Sequence, residues 1–352
     1  MSPDVRNDLD AIPAYVPGAT VPGATKLASN ETTTGPLPSV AVAIGEAASG
    51  ANRYPDITAR ALVERLADFL GVAPENVTTG CGSVALCQQL VQAVCAPGDE
   101  VIFGWRSFEA YPIITRIAHA VPVQVPNSAD GSLDLDAIAA AVTDRTRLIF
   151  VCTPNNPTGP AVSRAELGAF LDRIPDRVTV ALDEAYYEYM RSEDPVDGVV
   201  EAMSRTNVVS LRTFSKAYGL AGLRVGYLVG PAELVTSVAK MMVPFSVSSL
   251  AQAAGIACLE AGDELRVRTD AVVAERGRVR DALLGMGFTV PDSQANFVWL
   301  PLGDRSAAFD EHCGERLVIV RCFAGHGVRV SIGDPDENDR FLASAKEFVT
   351  GM

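Results

Sequence analysis

The chain has 352 residues, 48% of them hydrophobic and 20% charged, enough for a large core and for two lobes. A formal charge of −14 argues against binding to nucleic acid or anionic membranes, since both need clustered Lys and Arg. Seven cysteines with no Cys-x-x-Cys pair, and three scattered histidines, point to reduced thiols rather than a metal site or disulfide frame. No apolar run approaches the roughly 18 residues of a membrane span, and the start shows no secretory pattern. A cytoplasmic protein is expected.

Residues 1 to about 25, with Tyr15-Val-Pro-Gly and Val21-Pro-Gly, read as an irregular arm. A helix is expected from Pro38 to about Ala48. A second is expected over 58–70, where Ala61, Leu62, Leu66, Phe69 and Leu70 share a face. Val77-Thr-Thr reads as a short strand, and Gly80-Cys-Gly-Ser83 opens a helix over 84–94. Strands over 100–103, 121–125, 147–152, 178–183, 208–211 and 225–229 are then interleaved with helices over 108–117, 135–142 and 164–173. Continuous apolar runs separated by helices predict a parallel or mixed sheet covered on both faces, with function at the carboxyl ends of its strands. Helices follow over 232–241, 249–260 and 263–286. A smaller α+β piece comes next, with segments 288–290, 296–300, 307–313, 318–321 and 327–332 and a last helix over 337–349.

Four groups stand at strand ends or helix starts. Gly80-Cys-Gly-Ser83 exposes backbone N–H groups at the positive end of a helix, which suits an anion, although glycines there also suit a plain turn. Thr153-Pro-Asn-Asn-Pro-Thr-Gly159 places the amides of Asn155 and Asn156 at the sheet edge, and its composition equally favours a tight turn. Asp183-Glu-Ala-Tyr186 follows an apolar strand; a carboxylate there is costly to bury without a positive partner, and a helix cap is the alternative. The fourth runs from Leu211 to Arg224, with Lys216 among Thr213, Ser215 and small residues, and Arg224 eight positions beyond the lysine.

Taken together, the four groups describe a pyridoxal phosphate site. Lys216 is the Schiff-base lysine, and Asp183 partners a protonated pyridine nitrogen. Ser83 with the neighbouring amides of Val84 and Ala85, and Thr213, Ser215 and Arg224, bind the phosphate. Asn156 and Tyr186 bond the ring hydroxyl.

The order of Asn-Pro-Thr-Gly, Asp-x-Ala-Tyr, Ser-Lys and the following arginine resembles the fold-type I aminotransferases of class I/II. Leu27-Ala-Ser-Asn-Glu31, Arg53-Tyr-Pro-Asp56 and Leu220-Ala-Gly-Leu-Arg-Val-Gly226 are similar to the histidinol-phosphate aminotransferase branch. Val16-Pro-Gly, Gly80-Cys-Gly-Ser-Val, Phe103-Gly-Trp-Arg-Ser-Phe-Glu-Ala-Tyr111 and Ser293-Gln-Ala-Asn-Phe-Val-Trp-Leu300 resemble, more narrowly, the actinobacterial aromatic amino acid (phenylalanine) aminotransferases. The resemblance covers nearly the whole chain. It implies an α/β fold whose large domain holds a mostly parallel seven-stranded sheet between helices, beside a smaller α+β domain. The implied division is an arm and part of the small domain over 1–38, the large domain over 39–250 and the small domain over 251–352.

The resemblance also implies that Phe108 stacks on the pyridine and that Tyr54 reaches the cofactor phosphate of a neighbouring subunit in a homodimer. Arg329 clamps the substrate α-carboxylate, a task a guanidinium fork suits, and Asn30 also lies at the substrate. Phe108 in place of tyrosine, and Val84-Ala85 in place of an acidic pair, depart from the histidinol-phosphate pattern.

The implied reaction is a ping-pong transamination in which Lys216 carries a proton between Cα and the cofactor. Aromatic amino acids are the expected donors and 2-oxoglutarate the acceptor. Histidinol phosphate is the alternative, with Arg321 serving its phosphate. A decarboxylase on the same scaffold is an alternative of another class. A pyridoxal-phosphate-dependent regulator is not expected, because only a short arm precedes the first motif.

Overall fold

The computed structural model of the chain describes residues 5–7, 9–14 and 18–351. Tyr15, Val16 and Pro17, which open one of the quoted motifs, lie outside the described residues, as do residues 1–4. The strands are β1 (Thr25–Lys26), β2 (Val77–Gly80), β3 (Glu100–Trp105), β4 (Val121–Pro126), β5 (Thr146–Cys152) and β6 (Thr179–Asp183). They continue with β7 (Val208–Thr213), β8 (Gly226–Val229), β9 (Phe297–Leu300), β10 (Val318–Ile319), β11 (Arg321–Phe323) and β12 (Gly327–Ser331).

Seven strands form one sheet in the order β2-β8-β7-β6-β5-β3-β4. Every neighbouring pair from β7 to β4 is parallel, and only β8 runs against its neighbours. Residues of β6 and β7 are buried throughout, as continuous Val/Leu/Ile runs require when helices cover both faces. The reversal at β8 has a local cause. No crossover helix separates β7 from β8; the connecting segment 214–225 contains only a 3-10 turn and brings Gly226 back beside Thr213. A parallel strand would need a longer crossover. The short return leaves Lys216 in a loop at the sheet's carboxyl edge.

The remaining strands make a three-stranded antiparallel sheet, β11-β12-β9, and a parallel pair, β1-β10. Helices Gly262–Gly285, Ser306–Glu315 and Pro335–Thr350 pack around a second core that includes Phe309, Phe341, Val298 and Val328. Here the sequence expectation needs two corrections. The 318–321 run is not one strand: Val318 and Ile319 pair with Thr25 and Lys26, while Arg321 pairs with Arg329 in the other sheet. Segment 288–290 forms no strand; Phe288 and Val290 simply bury their side chains in this core. In helix Arg60–Leu70 the buried stripe is Leu62, Leu66 and Ala67, whereas Phe69 is 54% exposed. Helix Gly198–Ser204, capped by Asp197, was not foreseen, because it has barely two turns of pattern. Among the described residues no helix is long and apolar enough to cross a membrane, and no cluster of His, Cys, Asp and Glu could hold a metal.

Candidate active site

A cavity of about 510 Å³ opens at the carboxyl edge of the large sheet. Its walls carry Ser83, Val84, Phe108, Asn156, Asp183, Tyr186, Thr213, Ser215, Lys216, Arg224, Arg321 and Arg329. These come from segments more than 200 residues apart, brought together because β3, β5, β6 and β7 are neighbours whose ends coincide.

At the floor is Asp183, the last residue of β6, only 3% exposed. Its Oδ2 accepts a hydrogen bond from the Tyr111 hydroxyl at 2.7 Å, and its Oδ1 has no hydrogen-bond partner among the described residues. The adjacent Glu184 shows the contrast. It is equally buried, yet both oxygens are engaged, by Gly198 N, Ser210 Oγ and Arg212 Nε. Burial pushes the Asp183 carboxyl up to about 6, against the pull of the Tyr111 and Ala185 donors. An open carboxylate oxygen facing a cavity is a place for an N–H⁺ donor.

Lys216 reaches the same space, its Nζ donating to the Ser29 carbonyl at 3.3 Å. Burial first, then the nearby Arg329 and Arg224 charges, brings its amine down to about 8 from 10.5. Two donors face the cavity beside it. The Asn156 Oδ1 is taken by Arg329 Nη1, at 2.6 Å, so its Nδ2 is left to donate. The Tyr186 oxygen accepts from Asn30 Nδ2 at 2.9 Å, which turns its own proton outward. Burial raises the Tyr186 pKa, so it keeps that proton. Arg329 is aimed by Asn156 and by the Ala28 carbonyl, 2.6 Å from its Nη2.

A cluster of donors closes one end. Gly82 precedes helix Ser83–Val94 with no side-chain cap, leaving amides of the first turn for another acceptor. Its φ is +78°, which calls for glycine, and a Cβ there would push the Arg224 guanidinium aside. Arg224 Nη1 donates to Ser215 Oγ at 3.2 Å, and Ser215 N to Thr213 Oγ1 at 3.1 Å. Amides, hydroxyls and a guanidinium thus converge on one spot, suited to a phosphate.

Three residues named from the sequence stand off the cavity wall. Ala85 donates its amide to the Gly82 carbonyl at 3.2 Å and does not line the cavity. Asn30 is 1% exposed and acts behind Tyr186, not at the wall where a substrate would touch it. Tyr54 is 84% exposed and packs on Phe245 in a tilted pair with ring centroids 4.8 Å apart. Arg321 does line the cavity, and its Nη2 is held by Glu109 Oε2 at 2.7 Å.

The sequence reading assigned no role to Tyr111 or Glu109. Tyr111 lies three positions after Phe108, a spacing that puts both on one side of the segment leading into helix Ala110–Ile117. It stacks on Phe150 with centroids 4.4 Å apart, which fixes the hydroxyl under Asp183. Replacing it, Tyr111→Phe, is expected to destabilise the cofactor-free protein by about 1–3 kcal/mol where Asp183 is ionised. The loss should grow as pH rises through about 6, since only the carboxylate form needs the donor. Urea unfolding at pH 5 and pH 8 measures this; equal losses at both values would count against the pairing.

A family model described as aminotransferase class I and II matches residues 22–344. The chain is 63% identical to an aromatic amino acid aminotransferase of Rhodococcus opacus (strain B4), over 98% of this chain and 96% of that one. It is 56% identical to one of Mycolicibacterium smegmatis, over 99% and 96%. Among solved structures, histidinol-phosphate aminotransferase from Sinorhizobium meliloti, in complex with pyridoxal-5'-phosphate, matches with a TM-score of 0.86 and 29% identity, covering 93% of this chain and 91% of that one.

Proposed function

This chain belongs to the class I and II aminotransferases, and from that premise we propose that it transaminates aromatic L-amino acids with 2-oxoglutarate, using pyridoxal 5'-phosphate held at Lys216. The observation that carries the reading is the meeting of the Lys216 amine and the open Asp183 oxygen in one cavity, beside an anion site. The names of the relatives support the aromatic substrate.

When bound, pyridoxal phosphate supplies an aldehyde that links to amines and a ring that draws electrons from the bonds at the amino acid's Cα. Lys216 would anchor the group through Nζ, and its free amine would move the Cα proton of the substrate. A pKa near 8 keeps a useful share of that amine neutral near pH 7. Asp183 holds a proton on the ring nitrogen through Oδ1, while Tyr111 steadies Oδ2. Asn156 and Tyr186 donate to the ring hydroxyl. Ser83 with the Val84 amide, Thr213, Ser215 and Arg224 hold the phosphate. Phe108 covers the ring, and Arg329 takes the substrate α-carboxylate as a two-pronged donor.

Substrate choice rests on the far wall, where Ile113, Ile117 and Phe323 present apolar surface. The only cation there besides the site's own is Arg321, among the described lining residues, and Glu109 already neutralises it. An uncharged aromatic side chain fits that balance better than a phosphate, which would have to displace a carboxylate. Glu109→Gln is expected to lower KM for histidinol phosphate and 2-oxoglutarate and to raise it for phenylalanine, each about five- to tenfold. Unchanged KM for all three would remove Arg321 from the substrate's surroundings.

An exposed Tyr54 against an exposed Phe245, with Val243 69% exposed nearby, supports a homodimer in which Tyr54 completes the partner's phosphate site. The deciding experiment mixes the cofactor-loaded enzyme singly with phenylalanine, tyrosine, histidinol phosphate and threonine phosphate, and follows the cofactor's absorbance. Rapid conversion by phenylalanine and tyrosine is expected. Conversion by histidinol phosphate alone would overturn the aromatic reading, and carbon dioxide release with threonine phosphate would replace transamination by decarboxylation.

A further inference from the structure

A second cavity, of about 670 Å³, shares none of its lining residues with the catalytic one. It lies between segment 31–38, helix Gly262–Gly285 and residues 332–335. Its size is that of a small-molecule site. Arg268 and Glu264 line it one helical turn apart, and neither has an ion-pair partner among the described residues. Arg268 Nη2 and Nη1 donate to the carbonyls of Gly35 at 2.7 Å and Ala217 at 3.4 Å, so the guanidinium is positioned by neutral acceptors, with Glu264 acting on its charge from one turn away.

The other acids on this wall are already committed. Glu31 pairs with Lys26, Asp263 with Arg266 and Glu275 with Arg278, while Asp334 accepts from Thr33. Glu264 has only a long contact from the Ser39 amide, at 3.4 Å. Deeper in, Tyr189 and Asn296 also line the cavity. Tyr189 and Asn296 are 0% and 2% exposed; the Tyr189 hydroxyl has the Asn296 side chain as its hydrogen-bonding neighbour, and Asn296 Oδ1 accepts no hydrogen bond among the described residues. The rest of the wall, with Leu37, Val267, Val272 and Ile332, is apolar.

A cation and an anion about one helical turn apart, neither in an ion pair among the described residues, and an apolar wall together suit a zwitterion with a hydrophobic tail. We propose that this cavity binds a free α-amino acid with an apolar side chain, its carboxylate at Arg268 and its ammonium at Glu264. The position adjoins the catalytic machinery by two routes. Arg268 holds the Ala217 carbonyl, next to Lys216; Asn296 Nδ2 donates to the Asn30 carbonyl, and Asn30 in turn orients Tyr186.

Equilibrium dialysis of the cofactor-loaded enzyme with radiolabelled α-methyl-L-phenylalanine tests this, because the probe has no Cα proton to lose and is not consumed. The wild-type protein is expected to bind one more equivalent per chain than either Arg268→Gln or Val267→Glu. Val267 is 72% exposed on the rim, so its substitution tests the wall without disturbing the core, and its phenylalanine half-reaction should match wild type. Equal stoichiometry in all three proteins would overturn the proposal. Failure of phenylalanine to change the cofactor's absorbance would instead fall on the transamination reading, and a lost equivalent in Val267→Glu would still be counted.

Discussion

Lys216→Ala is expected to slow the phenylalanine half-reaction by about 10⁴-fold, the upper range for a positioned proton carrier. On the proposed roles the substitution removes the cofactor's anchor and the base together, and no other lysine lines the cavity among the described residues. Single-turnover absorbance of cofactor-loaded protein measures it, and a rate within tenfold of wild type would reassign both roles. The same amine gives a pH signature in the cofactor-free protein. Attachment needs the neutral form, and burial with Arg329 and Arg224 brings the amine to about 8. The attachment rate should therefore climb with pH and level off above about 8, not above the ordinary lysine value of 10.5. Between these two values the folded state binds fewer protons than the unfolded one, so this group's contribution to stability rises with pH across that window.

Asp183→Ala is expected to leave cofactor binding partly intact while lowering the half-reaction by about 10³-fold, as for loss of a preorganised charge at a reacting group. The anion site at Gly82, Ser215 and Arg224 does not depend on this carboxylate, whereas the proton on the ring nitrogen does. Near-normal turnover in the variant would exclude Asp183 from that duty. Here the stability signature has the opposite sign. Burial raises the carboxyl to about 6 from 3.8, so the folded cofactor-free protein holds more protons between these values. Its stability should fall as pH rises across that window, and the slope should vanish in Asp183→Ala. Chemical unfolding at pH 4 and pH 6.5 reads both.

Much of the site could be read in the sequence because its chemistry is local. The hydroxyls, glycines and arginine around Lys216 lie within a dozen residues, and the buried strands end at Cys152, just before Asn-Asn, at Asp183 and at Thr213, with turn residues marking each end. Periodicity located nearly every element of the large sheet for the same reason, since an apolar run covered on both faces has a plain signature. The small-domain strands carried a weaker signal: Val318 to Arg321 is one β-rich run by composition, and only its two different partners divide it.

By itself the sequence determined the class of chemistry: which residue carries the amine, which carboxylate lies at the end of a buried strand, and which helix start leaves its amides uncapped. The tertiary structure alone decided how those groups are tuned. It placed Tyr111 under Asp183, turned Asn30 away from the cavity to orient Tyr186, and put Glu109 against Arg321 from 212 positions away. Those pairings depend on distance, burial and the direction of a single donor, and none of these is encoded in the spacing of residues along one segment.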